Sequence, residues 1–433
     1  MTPRSLLLKG GRLVDPSQRL DARGDLLITD GAIEASGNLG EVRRDSNAEL
    51  EVVDATGLIV SPGFVDVHCH LREPGREEVE TIATGARSAA AGGFTAVCAM
   101  PNTDPVTDNQ AAVGFIISQA QRAGASRVFP IGAISIGQQG QRLAELGEMV
   151  GAGAVAVSDD GKPVVSAQLM RTALEYARTF GIPVADHCEE PTLAAGGAMN
   201  EGVMSARLGL RGIPAEAEEI MAIRDILLAR LTGGHIHLCH MSTKGSVELI
   251  RWGKERGINV TAEVCPHHLS LTEDAVEGYD TNAKMNPPLR TAADVEALQD
   301  AVKDGTIDVI ATDHAPHHYD EKEREFADAP NGIIGLETAL AVNLTWLVHR
   351  GVIDLPTLID RMACAPARLF KLPGGSLRRG SVADVTVFDP DAAWTVDPTR
   401  FLSKGRNTPY TGQTLRGRVR LTIVGGRVIH RAS

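Results

Sequence analysis

The sequence predicts an α/β fold, namely a closed (β/α)8 TIM-like barrel with a small β-sandwich domain formed by both chain ends. Three observations support this: eight strand-like segments that alternate with helical patterns, β-type patterns at the two ends, and a length of 433 residues. Such barrels often exceed ~250 residues as a single unit. We therefore expect residues 61–370 to form the barrel, and residues 1–60 and 371–433 to form the β domain.

The eight strand-like segments are short, apolar and separated by stretches of helical periodicity. They are Phe64–Cys69, Thr95–Met100, Arg127–Ile131, Val155–Ser158, Pro183–His187, Ile236–His240, Asn259–Val264 and Asp308–Thr312. In residues 215–232, Ile220, Ile223, Leu227 and Leu231 recur at i, i+3, i+7 and i+11, which is typical of an amphipathic helix. Eight strands joined by crossover helices predict a closed parallel barrel.

Both chain ends show short alternating apolar runs that are interrupted by turn residues. The turn signals are Gly10-Gly11 and Asp30-Gly31 near the amino end, and Gly425-Gly426 near the carboxyl end. The late strands are expected at Asp384–Phe388 and within Arg418–Ile429. The two ends can therefore pair into one small domain.

Composition excludes several classes of function. The formal net charge of -12 provides no global field that would attract nucleic acid or an anionic membrane. The six cysteines occur singly, which is typical of reduced thiols in a cytosolic protein. No run of 18 apolar residues is present, so no membrane span is predicted. We expect a cytoplasmic protein that acts on a small molecule.

Potential metal ligands follow several of the predicted strands. His68 and His70 lie two residues apart on the first strand, so their side chains point to the same side. Asp160 follows the fourth strand, and the fifth, sixth and eighth strands end at His187, His240 and Asp313. These side chains converge on one mouth of the barrel. Imidazole and carboxylate ligands suit zinc, which can lower the pKa of a bound water toward ~7.

Neighbouring residues leave some assignments open. Asp159 and Asp160 point to opposite sides, so only one of them can face the metal, and spacing alone does not choose between them. His235 and His237 lie inside the sixth strand and are expected to be packed or hydrogen-bonded. His267-His268 follow the seventh strand and could line the mouth.

Five longer motifs resemble the signatures of bacterial class I dihydroorotases of the amidohydrolase superfamily. They are Asp66 to Gly75 (DVHCHLREPG), Met100 to Thr103 (MPNT), Asp159 to Gly161 (DDG), Lys284 to Arg290 (KMNPPLR) and Ala311 to His317 (ATDHAPH). The resemblance implies the reversible cyclisation of N-carbamoyl-L-aspartate to L-dihydroorotate, a step of pyrimidine synthesis.

The resemblance also implies the roles of the ligands. His68, His70 and Asp313 would hold one zinc ion, and His187 and His240 would hold a second. Asp160 would contact both ions, and Asp313 would also act as general base and acid. Whether one or two ions bind stays open.

Substrate binding requires a local cation, since dihydroorotate keeps a free carboxylate and the chain is acidic. Arg72 is the best candidate because it lies two residues after His70 and its planar guanidinium can pair with a carboxylate through two hydrogen bonds. The family pattern adds further contacts, namely Asn102, Asn286, His317, Asn331 and Gly332.

Two alternatives remain. Hydantoinases, dihydropyrimidinases and allantoinases usually carry a carboxylated lysine on the fourth strand, where this chain has Asp160 and only Lys162 nearby. A non-catalytic scaffold subunit for aspartate transcarbamoylase should have lost its metal ligands, which this chain retains. Arg416, Arg418 and Arg420 suit either a partner-facing strand or a solvated edge strand. We expect a homodimer, with assembly onto aspartate transcarbamoylase as an open possibility.

Overall fold

The computed structural model describes residues 4–40 and 49–432. In chain order its strands are β1 (Arg4–Asp15), β2 (Leu20–Thr29), β3 (Ala32–Gly37), β4 (Glu49–Asp54), β5 (Ile59–Pro62), β6 (Phe64–Cys69), β7 (Phe94–Ala99), β8 (Arg127–Gly132), β9 (Ala156–Ser158), β10 (Val184–Asp186), β11 (Met199–Asn200), β12 (Gly212–Ile213), β13 (Ile236–Leu238), β14 (Val260–Val264), β15 (Val309–Ile310), β16 (Val385–Thr395), β17 (Thr414–Val424) and β18 (Arg427–Arg431).

The α-helices alternate with the strands through the middle of the chain. They are α1 (Ile82–Ala91), α2 (Gln110–Ala123), α3 (Leu146–Ala152), α4 (Ala167–Phe180), α5 (Pro191–Ala194), α6 (Val203–Leu208), α7 (Glu216–Thr232), α8 (Lys244–Glu255), α9 (Pro266–Ser270), α10 (Ala292–Asp304), α11 (Tyr319–Lys322), α12 (Ala339–Asn343), α13 (Leu355–Ile359) and α14 (Ala365–Leu369).

Eight parallel strands close into the predicted barrel, in the order β6-β7-β8-β9-β10-β13-β14-β15. The last strand returns to the first through a parallel bridge between His314 and Cys69. Two backbone hydrogen bonds reinforce this closure: Asp313 N donates to His68 O at 3.0 Å, and His70 N donates to His314 O at 2.8 Å. The seam of the barrel therefore runs through the segments that carry the predicted metal ligands, and the predicted barrel is confirmed.

Helix α4 shows how the outer layer forms. Ser166 caps its amino end by accepting from Leu169 N at 3.2 Å, and Gly181 ends it in a left-handed conformation with φ 64°. Between these caps, Leu169, Met170, Ala173, Leu174 and Ala177 share one buried face. Because this face covers the outside of the barrel, the strands beneath are buried on both sides, as parallel strands usually are.

Helix α7 lies where the periodicity predicts a helix, but the apolar stripe does not face the barrel. Ile220, Leu227 and Leu231 are 48%, 37% and 63% exposed. The buried face is built instead from smaller or differently placed residues: Ala217, Met221, Ala222, Ile226 and Ala229. Periodicity identified the helix correctly but not its orientation, because small alanines allow close helix packing without a strong apolar signal.

Both chain ends contribute to a second sheet, as predicted. Its order is β18-β17-β16-β5-β1-β2-β3, and β4 pairs in parallel with β1. The sheet encloses its own apolar core, whose members include Leu8, Leu26, Val60, Val387 and Ile423. The fold therefore combines the barrel with a β domain that neither chain end could form alone.

The two parts join at the end of α1. Thr422 Oγ1 donates to Ala90 O at 2.6 Å, and Thr386 Oγ1 donates to Gly93 O at 2.5 Å. Gly92 lies between these contacts, and a Cβ at this position would lie only 2.0 Å from Leu336 O. Glycine is therefore required beside this junction for a close backbone approach to Leu336 within the barrel rather than for an unusual φ.

The described residues contain no helix long and apolar enough to span a membrane. All six cysteines are buried free thiols.

We predict that Gly92→Ala lowers the free energy of unfolding by about 1–3 kcal/mol, since the added methyl group must displace backbone atoms. Gly114→Ala is the matched control: it lies inside α2 with nothing within 4 Å of the new Cβ, and should stabilise by about 0.5–1 kcal/mol. Urea unfolding followed by circular dichroism measures both changes. An unchanged midpoint for Gly92→Ala would show that the packing of Gly92 against Leu336 is looser than the structure indicates.

Candidate active site

The candidate ligands lie at the carboxyl ends of the barrel strands. His68 is in β6 and His70 follows it directly, while Asp160, His187, His240 and Asp313 follow β9, β10, β13 and β15. Parallel strands of a barrel share one carboxyl-terminal mouth, so residues far apart in sequence meet there. All six side chains are buried, with exposures of 8% or less.

Asp160 lies at the centre of the histidines. Its Oδ1 is 3.4 Å from His68 Nε2, 3.4 Å from His240 Nε2 and 3.9 Å from His187 Nδ1. Its Oδ2 is 3.4 Å from His70 Nε2. One carboxylate thus faces four imidazoles, which is the arrangement expected of a ligand shared between two ions.

Asp159 points away from this centre. It accepts hydrogen bonds from Ser135 N at 3.0 Å and from Ser135 Oγ. The structure therefore places Asp160, the residue preferred from the sequence, next to the histidines. Asp159 instead fixes the loop after β8.

Asp313 completes the other side of the cluster. Its Oδ1 is 3.0 Å from His70 Nε2 and 3.5 Å from His68 Nε2. The backbones of Asp313, His240 and Arg72 have positive φ values of 48°, 38° and 61°. Such conformations cost about 1–3 kcal/mol each in non-glycine residues and concentrate at functional sites, where the backbone is bent to aim a side chain.

Several buried ligand atoms lack a hydrogen-bond partner among the described residues, including His68 Nε2 and Asp160 Oδ1. An unpaired buried polar atom costs about 1–3 kcal/mol, so a cation at this point would stabilise the fold. Among the six candidate ligands, two groups of three ligand atoms lie close enough together to hold an ion, namely His68-Asp160-His240 and His68-His70-Asp313. The donor set of imidazole nitrogen and carboxylate oxygen fits zinc.

Electrostatics keep both aspartates ionised. Burial raises the pKa of Asp160 and of Asp313, but His68 and the neighbouring imidazoles outweigh it and hold each pKa below its ordinary value. The cluster therefore offers anionic oxygen ligands rather than neutral carboxylic acids.

Glu263 is a functional residue that the sequence analysis missed. Its Oε1 lies 2.5 Å from His68 Nδ1 and its Oε2 lies 3.1 Å from His237 Nε2. Burial raises the pKa of Glu263, but the two histidines lower it to about 2. The carboxylate thus fixes the orientation of His68, so that Nε2 faces Asp160. A glutamate within the buried strand β14 was the available signal, since an isolated buried charge is costly.

Asn102 and Asn286 also hold imidazoles in place. Asn102 Oδ1 lies 2.8 Å from His70 Nδ1. Asn286 Nδ2 donates to Glu189 Oε1 at 2.9 Å and lies 3.5 Å from His187 Nε2. Both asparagines were expected to contact substrate, and the structure adds a role in orienting the histidines.

A cavity of about 230 Å³ opens directly over the ligands. The expected substrate contacts all line it: Arg72, Asn102, Asn286, His317, Asn331 and Gly332. A larger groove of about 610 Å³ lies between α12 and the terminal sheet and contains none of these residues. The smaller cavity is therefore the one that combines candidate ligands with groups able to bind a small molecule.

Arg72 provides positive charge to this cavity. Its Nε donates to Pro316 O at 3.2 Å, and it forms no ion pair with any residue in 4–40 or 49–432. Burial, and then the charge of Arg76, lower the pKa of Arg72 to about 10, so the side chain stays protonated at neutral pH. An unpaired guanidinium beside the metal cluster suits a carboxylate ligand.

Comparison with known proteins decides the family. Residues 57–246 match the family model described as dihydro-orotase-like. The chain is 53% identical over 427 residues to the dihydroorotase of Geobacter metallireducens, covering 99% of this chain and 100% of that protein. It is 54% identical over 427 residues to the dihydroorotase of Anaeromyxobacter dehalogenans, covering 98% of each. This chain belongs to the dihydroorotase family.

Solved structures place this dihydroorotase-family chain among the cyclic amidohydrolases. The L-hydantoinase (dihydropyrimidinase) from Arthrobacter aurescens matches it with a TM-score of 0.87 at 28% identity, over 98% of this chain and 96% of that chain. The D-hydantoinase (dihydropyrimidinase) from Thermus sp. matches with a TM-score of 0.81 at 25% identity, over 98% and 95%. The shared architecture supports the barrel with its accessory β domain.

The fourth strand shows how this dihydroorotase-family member builds its cluster without a lysine ligand. Lys162, considered above as an alternative bridging residue, is exposed, whereas Asp160 is 3% exposed. The aspartate is the residue of this segment that reaches the histidines.

We predict that Glu263→Gln weakens metal binding about 10–100-fold, because a neutral amide no longer holds the His68 ring by a charged hydrogen bond. Chelator competition on the purified chain measures the dissociation constant. Glu248→Gln is the matched control, since it makes the same chemical change at an exposed carboxylate on α8. Equal affinities in the two variants would rule out the orienting role.

Proposed function

We propose that this chain is a zinc-dependent dihydroorotase that reversibly cyclises N-carbamoyl-L-aspartate to L-dihydroorotate in de novo pyrimidine biosynthesis. The observation that carries the proposal is the unpaired Arg72 beside a carboxylate that faces four imidazoles. A hydrolytic metal site and a carboxylate-binding cation in one cavity match a cyclic amide that keeps a free carboxylate. The names of the relatives support the same reaction.

We propose that His68, His70 and Asp313 hold one zinc ion, that His187 and His240 hold a second, and that Asp160 contacts both. Zinc at this position would lower the pKa of a water molecule and polarise the carbonyl that is attacked. The unpartnered His68 Nε2 and Asp160 Oδ1 support this ligand set.

Asp313 is the proposed general base and acid. In the hydrolytic direction it takes a proton from the attacking water and delivers it to the departing ring nitrogen. In the direction of ring closure the same carboxylate takes a proton from the attacking carbamoyl nitrogen and delivers it to the departing oxygen, which takes up a second proton from solvent and leaves as water.

Arg72 is the proposed partner of the substrate carboxylate. Asn102, Asn286, His317, Asn331 and Gly332 would surround the remainder of the ring, since all of them line the same cavity. A mixture of one cation with amide, imidazole and backbone groups can bind a polar ring through complementary hydrogen bonds.

A hydantoinase or dihydropyrimidinase activity is the alternative, because the matching solved structures carry those names. Hydantoin and dihydrouracil lack the ring carboxylate, so binding them would cover the partly buried Arg72 guanidinium without giving it a counter-charge. The cost of desolvating an unpaired charge favours dihydroorotate. The complete set of ligands likewise argues against a purely non-catalytic scaffold.

We further propose a cytoplasmic homodimer, with residues 61–370 as the catalytic barrel and residues 1–60 and 371–433 as the β domain. The exposed stripe of Ile220, Leu227 and Leu231 on α7 is the candidate dimer surface, since contiguous exposed apolar groups often mark interfaces. Assembly with aspartate transcarbamoylase is a further possibility that the test of activity below addresses.

The decisive experiment is turnover by the purified zinc-loaded chain on L-dihydroorotate, hydantoin, dihydrouracil and allantoin. We predict turnover of dihydroorotate, and a loss of kcat of about 10²–10⁴-fold in Asp313→Asn, because an amide cannot transfer the proton. Asp320→Asn, which changes an exposed carboxylate, is the control. Turnover of hydantoin or allantoin instead would support the alternative enzymes. Bound metal without any turnover would indicate a missing partner or a scaffold.

We predict that Arg72→Met raises KM for dihydroorotate about 10–100-fold with zinc content unchanged, since a hydrogen bond to a charged group contributes about 1.5–3 kcal/mol. Arg87→Met, on the exposed face of α1, should leave KM unchanged. Steady-state kinetics on both variants provide the comparison. A normal KM in Arg72→Met would assign the carboxylate to another residue.

A further inference from the structure

Two buried lysines organise the segment that follows the eighth barrel strand. Lys322, at the end of α11, donates from Nζ to Pro330 O at 2.7 Å, to Thr281 O at 2.9 Å and to Lys284 O at 3.3 Å. The side chain is 5% exposed. Its ammonium group thus joins its own segment to the chain between α9 and α10.

Lys284 forms the reciprocal connection. Its Nζ donates to Phe326 O at 2.7 Å, to Ala327 O at 2.8 Å and to Ala329 O at 2.7 Å. The side chain is also 5% exposed. Each ammonium group therefore uses its three donors on backbone carbonyls.

Neither lysine forms an ion pair with any residue in 4–40 or 49–432. Burial, and then the charge of Lys284, lower the pKa of Lys322 to about 7, while Asp280 and Glu321 oppose that shift. Burying two adjacent lysines without a carboxylate in ion-pair contact is costly. A methionine at either position would fill the space but leave three carbonyl oxygens without their donor, so the lysines are needed to hold this backbone in place.

The backbone segments whose carbonyls accept from the lysines continue directly into residues that line the cavity. Pro330 precedes Asn331 and Gly332, and Gly332 N donates to Lys284 O at 3.0 Å. On the other side, Asn286 lies two residues after Lys284 and also lines the cavity. The lysines therefore connect two adjacent backbone segments that both carry proposed substrate contacts.

His317 extends this arrangement toward Arg72. Its Nε2 lies 2.8 Å from Asn331 O, and its Nδ1 lies 3.3 Å from Glu321 Oε2 on the same helix as Lys322. A displacement of residues 326–332 would therefore also move His317 relative to the cavity.

We propose that Lys284 and Lys322 are positioning residues for substrate: together they form an ammonium clamp that sets the distance between Asn286 and the Asn331-Gly332 backbone. The inference deepens the proposed function and rests on it. The clamp touches neither the candidate metal ligands nor the substrate. It acts on ring binding by fixing the two neighbouring segments that carry Asn286 and Asn331-Gly332.

Lys322→Met in the zinc-loaded protein tests the clamp. We expect KM for dihydroorotate to rise at least tenfold, with kcat within threefold of the unmodified value and zinc content unchanged, because ring contacts shared by ground and transition states are lost. Lys371→Met is the matched control: its Nζ donates to Gly181 O at 2.6 Å, outside this segment. Lys284→Met should have the same effect as Lys322→Met.

Proteolysis gives a second reading that does not depend on activity. Glutamyl endopeptidase can cleave after Glu323 and Glu325, which are exposed and unchanged in the variants. We expect cleavage at least tenfold faster in Lys322→Met and unchanged in Lys371→Met. If Lys322→Met does not fold, Lys322→Gln keeps an amide donor on a shorter side chain and should give a smaller change in the same direction.

A KM within twofold of the unmodified value, with unchanged cleavage, would overturn the clamp. Loss of zinc or of kcat at unchanged KM would also overturn it, since that result indicates a general structural role. If the unmodified chain turns over no dihydroorotate, the proposed function itself fails. If the unmodified chain turns over dihydroorotate and the lysine variants have the same KM and cleavage rate as that chain, only the clamp proposal fails.

Discussion

The carboxylate of Asp160, buried among four imidazoles, is the interaction on which the site depends. A charged oxygen with 3% exposure is stable only where cations or donors surround it, and the four surrounding histidines come from the ends of three barrel strands, β6, β10 and β13. The carboxyl ends of the strands must therefore meet within a few ångströms. The barrel fulfils this requirement because His314 pairs with Cys69 and closes the ring beside the ligands.

The short distances between the candidate ligands depend on other residues that hold the ligands in position without contacting an ion themselves. Glu263 fixes His68, Asn102 fixes His70, and the positive φ of Asp313 aims its carboxylate back across the mouth. A strained backbone and a buried charge both reduce stability. They persist only where the surrounding packing holds the chain firmly in that conformation. The fully buried β6 and β14 provide that packing. The stability of the barrel therefore offsets the cost of an organised site.

The sequence was sufficient to predict the barrel because each strand is a short apolar run. It also predicted which side chains meet at the mouth, because each lies at or just after the end of such a run. It did not orient α7, since the apolar stripe at Ile220, Leu227 and Leu231 is exposed while small residues face the core. It also missed Glu263, because the role of this residue is to orient His68, which lies 195 residues away in the sequence. The lysine contacts are similarly hidden, because backbone carbonyls accept them and carbonyls carry no signal in sequence.

The distribution of cations explains how an acidic protein can select an anionic ring. The chain carries a formal charge of -12, so attraction of a carboxylate must be local. Of the cations near the mouth, Lys284 and Lys322 direct their three donors to carbonyls, which leaves little capacity for a ligand. Arg72 keeps most of its guanidinium donors free, because only Nε is engaged, by Pro316 O. Charge recognition is thereby concentrated in one side chain, while the two lysines shape the cavity in which it acts. The position of the ring and the binding of its carboxylate therefore depend on different residues. Substitutions at Arg72 and at the two lysines can separate the two effects.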